Sequence, residues 1–141
     1  MIFDRIEFSD IKSEKIRVRL VEFLEANHKP DWVPVYRFKI YDQLENDIGT
    51  IEFRSGNTKK IKEVDGHIGY KIQEKYRGHK HSLNALKAIL PFIWNHPIDE
   101  LVLTTDIGNT ASSKIIEALG AKYSFQNKTE NKDVYTFKKN T

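Results

Sequence analysis

The chain has no cysteine among its 141 residues, so disulfide bonds and cysteine thiolate chemistry are excluded. No apolar run approaches the length of a membrane span, and the first residues lack the apolar core of a signal peptide. These absences lead us to expect a cytoplasmic protein with no membrane partner. Charge of one sign is also scarce, because 23 Lys and Arg residues stand against 20 Asp and Glu residues. A net charge of +3 argues against a nucleic-acid partner.

The composition is that of an ordinary globular protein. Hydrophobic residues make up 39% of the chain and aromatic residues 11%, which is enough to form a core and too much for a disordered protein. No repeat or linker divides the sequence, so we expect one domain over residues 1–141.

The first half of the chain reads as strands. Alternating apolar and other side chains predict strands at 35–40 and 48–54, paired as a hairpin, and a further strand at 66–72. Residues 16–21 also alternate, although their charged flanks leave a short helix open. Residues 23–34 contain two prolines and are predicted to be a loop.

The second half alternates helices and strands. Helical spacing of leucines and isoleucines predicts a helix at 82–95, which Pro91 should kink or end. A buried strand is expected at 101–105, and a strand, a crossover helix and a strand together predict a parallel pair. A second helix is expected at 110–119, capped by Asn109 and ended by Gly120. Strands at 121–125 and 133–137 complete the pattern.

The most informative segment is the basic turn at 76–82, between a predicted strand and a predicted helix. A glycine-containing turn that opens a helix offers free backbone N–H groups and the positive end of the helix dipole to an anion. His79 and His81 also invite a metal interpretation. They lie two residues apart in a turn and no third ligand is spaced with them, so a phosphate-binding turn is the better interpretation.

The sequence around this turn resembles the GNAT acetyltransferase family. Arg77-Gly78 fills the start of the family's phosphate-loop motif, whereas Lys80 stands where the family usually has glycine and Ser82 where it has glycine or alanine. Asn109-Thr110-Ala111-Ser112, followed by a helix ending in Leu119-Gly120, is similar to the family's Asn-x-Ala-Ser helix. The resemblance covers residues 35–137.

The resemblance implies a mixed α/β (α+β) fold with a central, mostly antiparallel sheet, a splayed parallel strand pair and helices on both faces. It also implies acetyl-CoA as cosubstrate and no metal. The pantetheine arm would enter between strands 66–72 and 101–105, and a strand N–H near Ile68 or Gly69 would stabilise the oxyanion of the thioester. The residues implied in binding are Tyr70 and Ile72 through their backbone, Arg77, Gly78, His79, Lys80, His81 and Ser82 around the pyrophosphate, and Asn109.

The implied reaction is the attack of an amine on the acetyl thioester, which requires an acid and a base. Many relatives use as acid a tyrosine four residues before the helix-ending glycine, and here that position is Ile116. Ser112 is our candidate replacement, and the alternative is that Asn109 and Ser112 only form the helix cap. Glu52 and His67 are the candidate bases, unless Glu52 only pairs with a lysine and His67 only faces solvent.

The sequence therefore predicts an N-acetyltransferase that acts by direct attack in a ternary complex. Its acceptor would be a small-molecule amine or a protein N-terminus, and a homodimer would be compatible with the resemblance. The alternative is a non-catalytic CoA-binding or interaction module on the same fold.

Overall fold

Alternating side chains build a five-stranded antiparallel sheet in the first half of the chain. The structure is a computed structural model that describes residues 2–26 and 31–139. The strands lie in chain order, each hydrogen bonded to the next. Their bounds are β1 Ile11–Lys12, β2 Arg17–Leu24, β3 Val35–Tyr41, β4 Asp47–Arg54 and β5 Ile68–Ile72.

The second half forms a separate three-stranded antiparallel sheet in the order β6-β8-β7. Its strands are β6 Glu100–Asp106, β7 Lys122–Asn127 and β8 Lys132–Lys138. The central strand β8 pairs with β6 on one side and with β7 on the other, and no strand among the described residues pairs with the second edge of β6.

Two α-helices pack on these sheets, α1 His81–Ile93 and α2 Thr110–Leu119. Pro91 lies inside α1, and the helix ends two residues later, so the expected interruption falls at the last turn. A short π-helical turn, Ile61–Asp65, and a 3-10 turn, Glu74–Tyr76, flank β5. No helix in the described part of the chain is long and apolar enough to cross a membrane.

The core lies between α1 and one face of the five-stranded sheet. Phe92 of α1 sits edge-on against Tyr36 and Phe38 of β3, with ring centroids 5.0 and 6.1 Å apart. Burying side chains of this size contributes about 1.5–3 kcal/mol each. The opposite face of the sheet carries paired charges, among them Arg37 with Glu52 at 2.8 Å. The apolar face thus fixes α1, and its amino-terminal end, beside the last strand of the sheet.

Helices lie on both faces of the three-stranded sheet. The π-helical turn contacts one face, where Thr104 Oγ1 donates to the Val64 carbonyl at 2.9 Å. The carboxyl end of α2 lies on the other face, where Gly120 is next to the ring of Phe137.

The fold confirms most of the predicted elements. The segment 16–21 is a strand and not a helix. The predicted loop at 23–34 is wrong at its start, because Phe23 and Leu24 belong to β2, and residues 27–30 lie outside the described residues. The parallel pairing of β5 with β6 is not confirmed, since the two strands fall in different sheets.

Candidate active site

The amino-terminal end of α1 is open. The residue before the helix, Lys80, makes no side-chain cap, and no acidic residue lies in the first turn. The chain enters the helix through Gly78 at φ 88° and Lys80 at φ 60°. The first N–H groups of a helix have no partner within it and carry partial positive charge, so this end of α1 suits an anion.

Lys80 has a backbone conformation that favours glycine. Its φ of 60° and ψ of 25° are left-handed, which is unfavourable for a residue with a Cβ atom. The turn therefore keeps the shape of a glycine turn while placing an ammonium group beside the helix end.

Basic side chains surround this helix end. Arg77 Nε donates to the carbonyl of Ile72 at 3.1 Å, which ties the guanidinium to the last residue of β5. The rings of His79 and His81 lie 5.6 Å apart. Burial lowers the pKa of His81 and the neighbouring His79 acts in the same direction, so His81 is neutral at pH 7. Fixed positive charge at this end therefore comes from Arg77 and Lys80.

A cavity of about 320 Å³ adjoins the two histidines on the side of the β3–β4 hairpin. Its one carboxylate, Asp42, is committed to the hairpin turn, where its Oδ1 accepts from the N–H groups of Leu44 and Asn46 at 2.9 Å. Among the described residues no group of three or more His, Asp or Glu side chains is arranged to hold a metal ion. The lining residues are Lys15, Asp42, Gln43, Leu44, His79, His81 and Asn84.

β5 pairs with β4 along one edge and has no strand on its other edge among the described residues. At its two ends, the carbonyl of His67 accepts from Arg54 N–H at 2.7 Å and Gln73 N–H donates to the carbonyl of Ile48 at 2.9 Å. Because backbone groups alternate along a strand, the groups that point to the free edge belong to Ile68, Tyr70 and Ile72. These are the positions expected to bind an extended arm and an oxyanion.

His67 joins the two sheets at the start of β5. Its backbone N–H donates to the carbonyl of Val102 at 2.8 Å, and its ring Nδ1 accepts from Val102 N–H at 2.9 Å. An N–H can only donate, so Nδ1 is unprotonated and Nε2 donates to Asn57 Oδ1 at 2.9 Å. The side chain is fully buried, and burial lowers the pKa of His67 from 6.5 to about 4. His67 therefore does not face solvent, and both of its ring nitrogens are occupied.

Tyr70 and Ser112 meet between β5 and α2. Tyr70 Oη and Ser112 Oγ are 2.9 Å apart, although 42 positions separate the residues in the chain. The backbone N–H of Ser112 donates to Asn109 Oδ1 at 3.1 Å, so Asn109 does cap α2. The helix cap involves only the backbone N–H of Ser112, so the hydroxyl group of Ser112 is able to bond to Tyr70.

Glu52 lies on β4 directly opposite Gly69. Its Oε1 accepts from Arg37 Nε at 2.8 Å, and its Oε2 lies 3.9 Å from a guanidinium nitrogen of Arg54. Glu52 thus pairs with arginines and not with a lysine. Tyr70 is opposite Ile51, so the side chains of Glu52 and Tyr70 lie on opposite faces of the sheet.

The structure brings together most of the residues singled out from the sequence. The turn 77–82 adjoins the end of β5 and Ser112 contacts Tyr70 on that strand, whereas Glu52 lies on the neighbouring strand and His67 lies between the two sheets. Ile116 is buried with 1% of its surface exposed and supplies no acid. Sequence reasoning takes packing as the default role of the aromatic ring of Tyr70, and so it missed the hydrogen bond between the Tyr70 hydroxyl and Ser112.

Comparison with known proteins agrees with this geometry. Residues 9–122 match the family described as the acetyltransferase (GNAT) domain. No curated protein matches the chain. An acetyl transferase from Salmonella typhimurium, described as modifying the N-terminal serine of 50S ribosomal subunit protein L7/L12, is 13% identical, with a TM-score of 0.67 over 91% of this chain and 97% of its own.

Two further solved structures are similar in fold. A ribosomal L7/L12 alpha-N-protein acetyltransferase in complex with coenzyme A has a TM-score of 0.68 and 13% identity, over 92% of this chain and 98% of its own. The ribosomal-protein-S5-alanine acetyltransferase from Vibrio fischeri has a TM-score of 0.64 and 15% identity, over 93% and 97%. Because the family match spans the basic turn and the whole of α2, this chain belongs to the GNAT acetyltransferase family.

Proposed function

We propose that this protein transfers the acetyl group of acetyl-CoA to a primary amine by direct attack in a ternary complex. The observation that carries the proposal is the open, basic amino terminus of α1 at the end of a strand with a free edge. The helix terminus would bind the pyrophosphate of coenzyme A, and the free strand edge would pair with its extended pantetheine arm.

The pyrophosphate fits the first turn of α1. The N–H groups from Gly78 to Ser82 surround the helix end, and Arg77 and Lys80 add charge. Gly78 has nothing within 4 Å of the position that a Cβ would take, so a phosphate can approach the backbone there.

The pantetheine arm fits the free edge of β5. The backbone groups of Tyr70 point to that edge, and the Ile72 carbonyl on the same edge already accepts from Arg77. The N–H of Ile68 is next along the edge and would stabilise the oxyanion that forms on the thioester carbonyl. Asn109, at the start of α2, would contact the arm through the amide nitrogen that its cap does not use.

The chemistry requires removal of a proton from the acceptor, whose ammonium form has a pKa of about 10.4 in an alkylamine and about 8 at a protein N-terminus. Glu52 is the better placed of the two candidate bases, because it is partly exposed and lies opposite Gly69. His67 could accept a proton only by giving up its bond from Val102 N–H. We assign Ser112 as the acid that protonates the leaving thiolate.

Two proteins of similar fold support the choice of acceptor: one is described as modifying the N-terminal serine of L7/L12 and the other as an L7/L12 alpha-N-protein acetyltransferase. We propose a protein N-terminus or a small amine as the acceptor here. A non-catalytic CoA-binding module is the second candidate, and the apolar Ile116 at the usual acid position favours it.

The test is acetyl transfer from acetyl-CoA to peptides with a free N-terminal serine or alanine and to small primary amines, followed by thiol release. We expect at least one amine to be acetylated and N-terminally blocked peptides to stay inert. If acetyl-CoA binds and no amine is acetylated, the binding-module alternative is correct.

A further inference from the structure

A side-chain hydrogen bond between two hydroxyl groups, those of Tyr70 and Ser112, joins β5 to α2 beside the free edge. We propose that Tyr70 and Ser112 form a proton relay, in which Ser112 protonates the leaving thiolate and Tyr70 replaces the proton that Ser112 gives up. The inference rests on the proposed function and assigns a role to a side chain that the family motifs do not include.

The geometry holds both hydroxyls in place. Ser112 is in the first turn of α2, where its N–H is fixed by Asn109 at 3.1 Å, and its Oγ lies 2.9 Å from Tyr70 Oη. Ile68 and Ile72, the neighbours of Tyr70 on the same face of β5, are both buried, so the strand that carries the ring is anchored in the core. A hydroxyl is both donor and acceptor, so this pair can pass a proton along one bond.

Ser112 needs such a partner because a serine that gives up its proton alone is left as an alkoxide. Tyr70 is the one partner recorded for the Ser112 hydroxyl among the described residues. The adjacent Ser113 differs, since its Oγ donates to the carbonyl of Asn109 at 3.1 Å within the helix. Ile116 one turn later has no proton to offer.

Tyr70 has a proton available at neutral pH. Burial raises the pKa of Tyr70 above its usual value of 10, and the bond to Ser112 offsets only part of that effect. The phenol is therefore neutral before the reaction and acts as a donor.

The step balances as follows. The amine lone pair forms a C–N bond with the acetyl carbonyl, and the C–S bond breaks with its electron pair on sulfur. The Ser112 Oγ proton moves to sulfur while the Tyr70 Oη proton moves to Ser112 Oγ. Glu52 takes the proton lost from the amine nitrogen and releases it to water, and a proton from water restores Tyr70 Oη, so the products are the acetamide and the free thiol of coenzyme A.

The experiment compares Tyr70→Phe and Ser112→Ala with two matched controls. Ser113→Ala removes a neighbouring hydroxyl on the same helix, and Tyr123→Phe removes an exposed tyrosine hydroxyl on β7. Each variant is titrated with acetyl-CoA by calorimetry and then assayed for thiol release with the peptide and amine probes. We expect kcat to fall about 10²-fold in Tyr70→Phe and in Ser112→Ala, with acetyl-CoA binding unchanged, while both controls behave as wild type.

A second readout separates a relay from a structural role. The rate in mixtures of H2O and D2O should curve with the deuterium fraction in the wild type, because two protons move together. In Tyr70→Phe the same plot should be linear. A merely structural role for Tyr70 would change stability or binding and leave the shape of this plot alone.

The failures of the two proposals are distinct. If the wild type acetylates an amine and Tyr70→Phe keeps its kcat, the relay is wrong and the proposed function stands. If Tyr70→Phe binds acetyl-CoA more tightly and turns over faster, the bond between Tyr70 and Ser112 hinders binding and does not carry a proton. That result also contradicts the relay. If the wild type binds acetyl-CoA and acetylates no probe, the proposed function fails and the relay fails with it.

Discussion

At the scale of one residue, Lys80 is where this chain departs from the family's motif. A lysine stands where the motif usually has glycine, and its backbone is in the left-handed region that favours glycine. A lysine in the left-handed region costs roughly 1–2 kcal/mol relative to a residue without a Cβ atom. The same residue places its ammonium beside the helix end. Strain of this kind is tolerated where the surrounding structure enforces it, which is common at functional sites.

Replacing Lys80 with glycine should therefore stabilise the protein. We expect Lys80→Gly to raise the free energy of unfolding by about 1 kcal/mol, because glycine adopts a φ near 60° without strain. Urea denaturation monitored by circular dichroism measures this change.

Asn131→Gly is the matched control for Lys80→Gly. Asn131 also has a positive φ, 57°, but asparagine tolerates the left-handed region better than lysine does, so its replacement should gain less. A Lys80→Gly protein less stable than the wild type would contradict the strain argument.

The bounds of an element can be predicted when the residues that set them lie within the element's own stretch of sequence, and α2 is the clearest case. Its bounds follow from a cap, helical spacing and a terminal glycine, all within one stretch of sequence, and Gly120 does adopt a φ of 106°. β2 extends beyond its predicted end because Phe23 pairs with Tyr36 of β3 and packs on its ring at 4.8 Å. Such a contact depends on tertiary structure, so periodicity in the sequence could not supply it.

The cap of α2 has a measurable effect on stability. Asn109→Ala should lower the free energy of unfolding by about 1 kcal/mol, because Ser112 N–H loses its acceptor. Asn109→Ser keeps a capping oxygen and should lose little. Thermal unfolding of the three proteins measures the effect, and equal melting temperatures for Asn109→Ala and the wild type would show that the cap contributes nothing.

At the scale of the whole molecule, His67 is one of the residues that join the two sheets, through two hydrogen bonds to Val102. The residues around His67 come from β6, from the segment before β5 and from Asn57, and 35 positions separate His67 from Val102. The sequence could place His67 on a strand, and only the relation between the sheets shows that its ring is a buried acceptor. The proposed catalytic groups were partly predictable for the same reason, since the family motif made Ser112 a candidate while its hydrogen-bond partner Tyr70 lies on another element.

The buried ring of His67 predicts that the stability of the protein depends on pH. The pKa of His67 is about 4 in the folded protein and near 6.5 in the unfolded chain, so between these values the unfolded state binds more protons. The contribution of His67 is therefore fully present above pH 6.5 and is lost as the pH falls toward 4. We expect a loss of about 2 kcal/mol between pH 7 and pH 5.

Urea denaturation at several pH values measures this loss, and His67→Gln should flatten the dependence. Burial also lowers the pKa of His96, so a His96→Gln protein measured alongside isolates the part due to His67. If the free energy of unfolding of His67→Gln depends on pH as strongly as that of the wild type, His67 is not the source of the dependence.

The most direct test of the account is calorimetric titration of acetyl-CoA into the wild type, Gly78→Glu and Asn95→Glu. Gly78→Glu places a carboxylate in the open turn before α1, whereas Asn95→Glu adds the same charge just beyond the other end of that helix, about 20 Å away. We predict that the wild type and Asn95→Glu bind acetyl-CoA and that Gly78→Glu, folded as judged by circular dichroism, does not. Binding that survives in Gly78→Glu, or is absent from the wild type, would contradict the assignment of this helix end as the phosphate site.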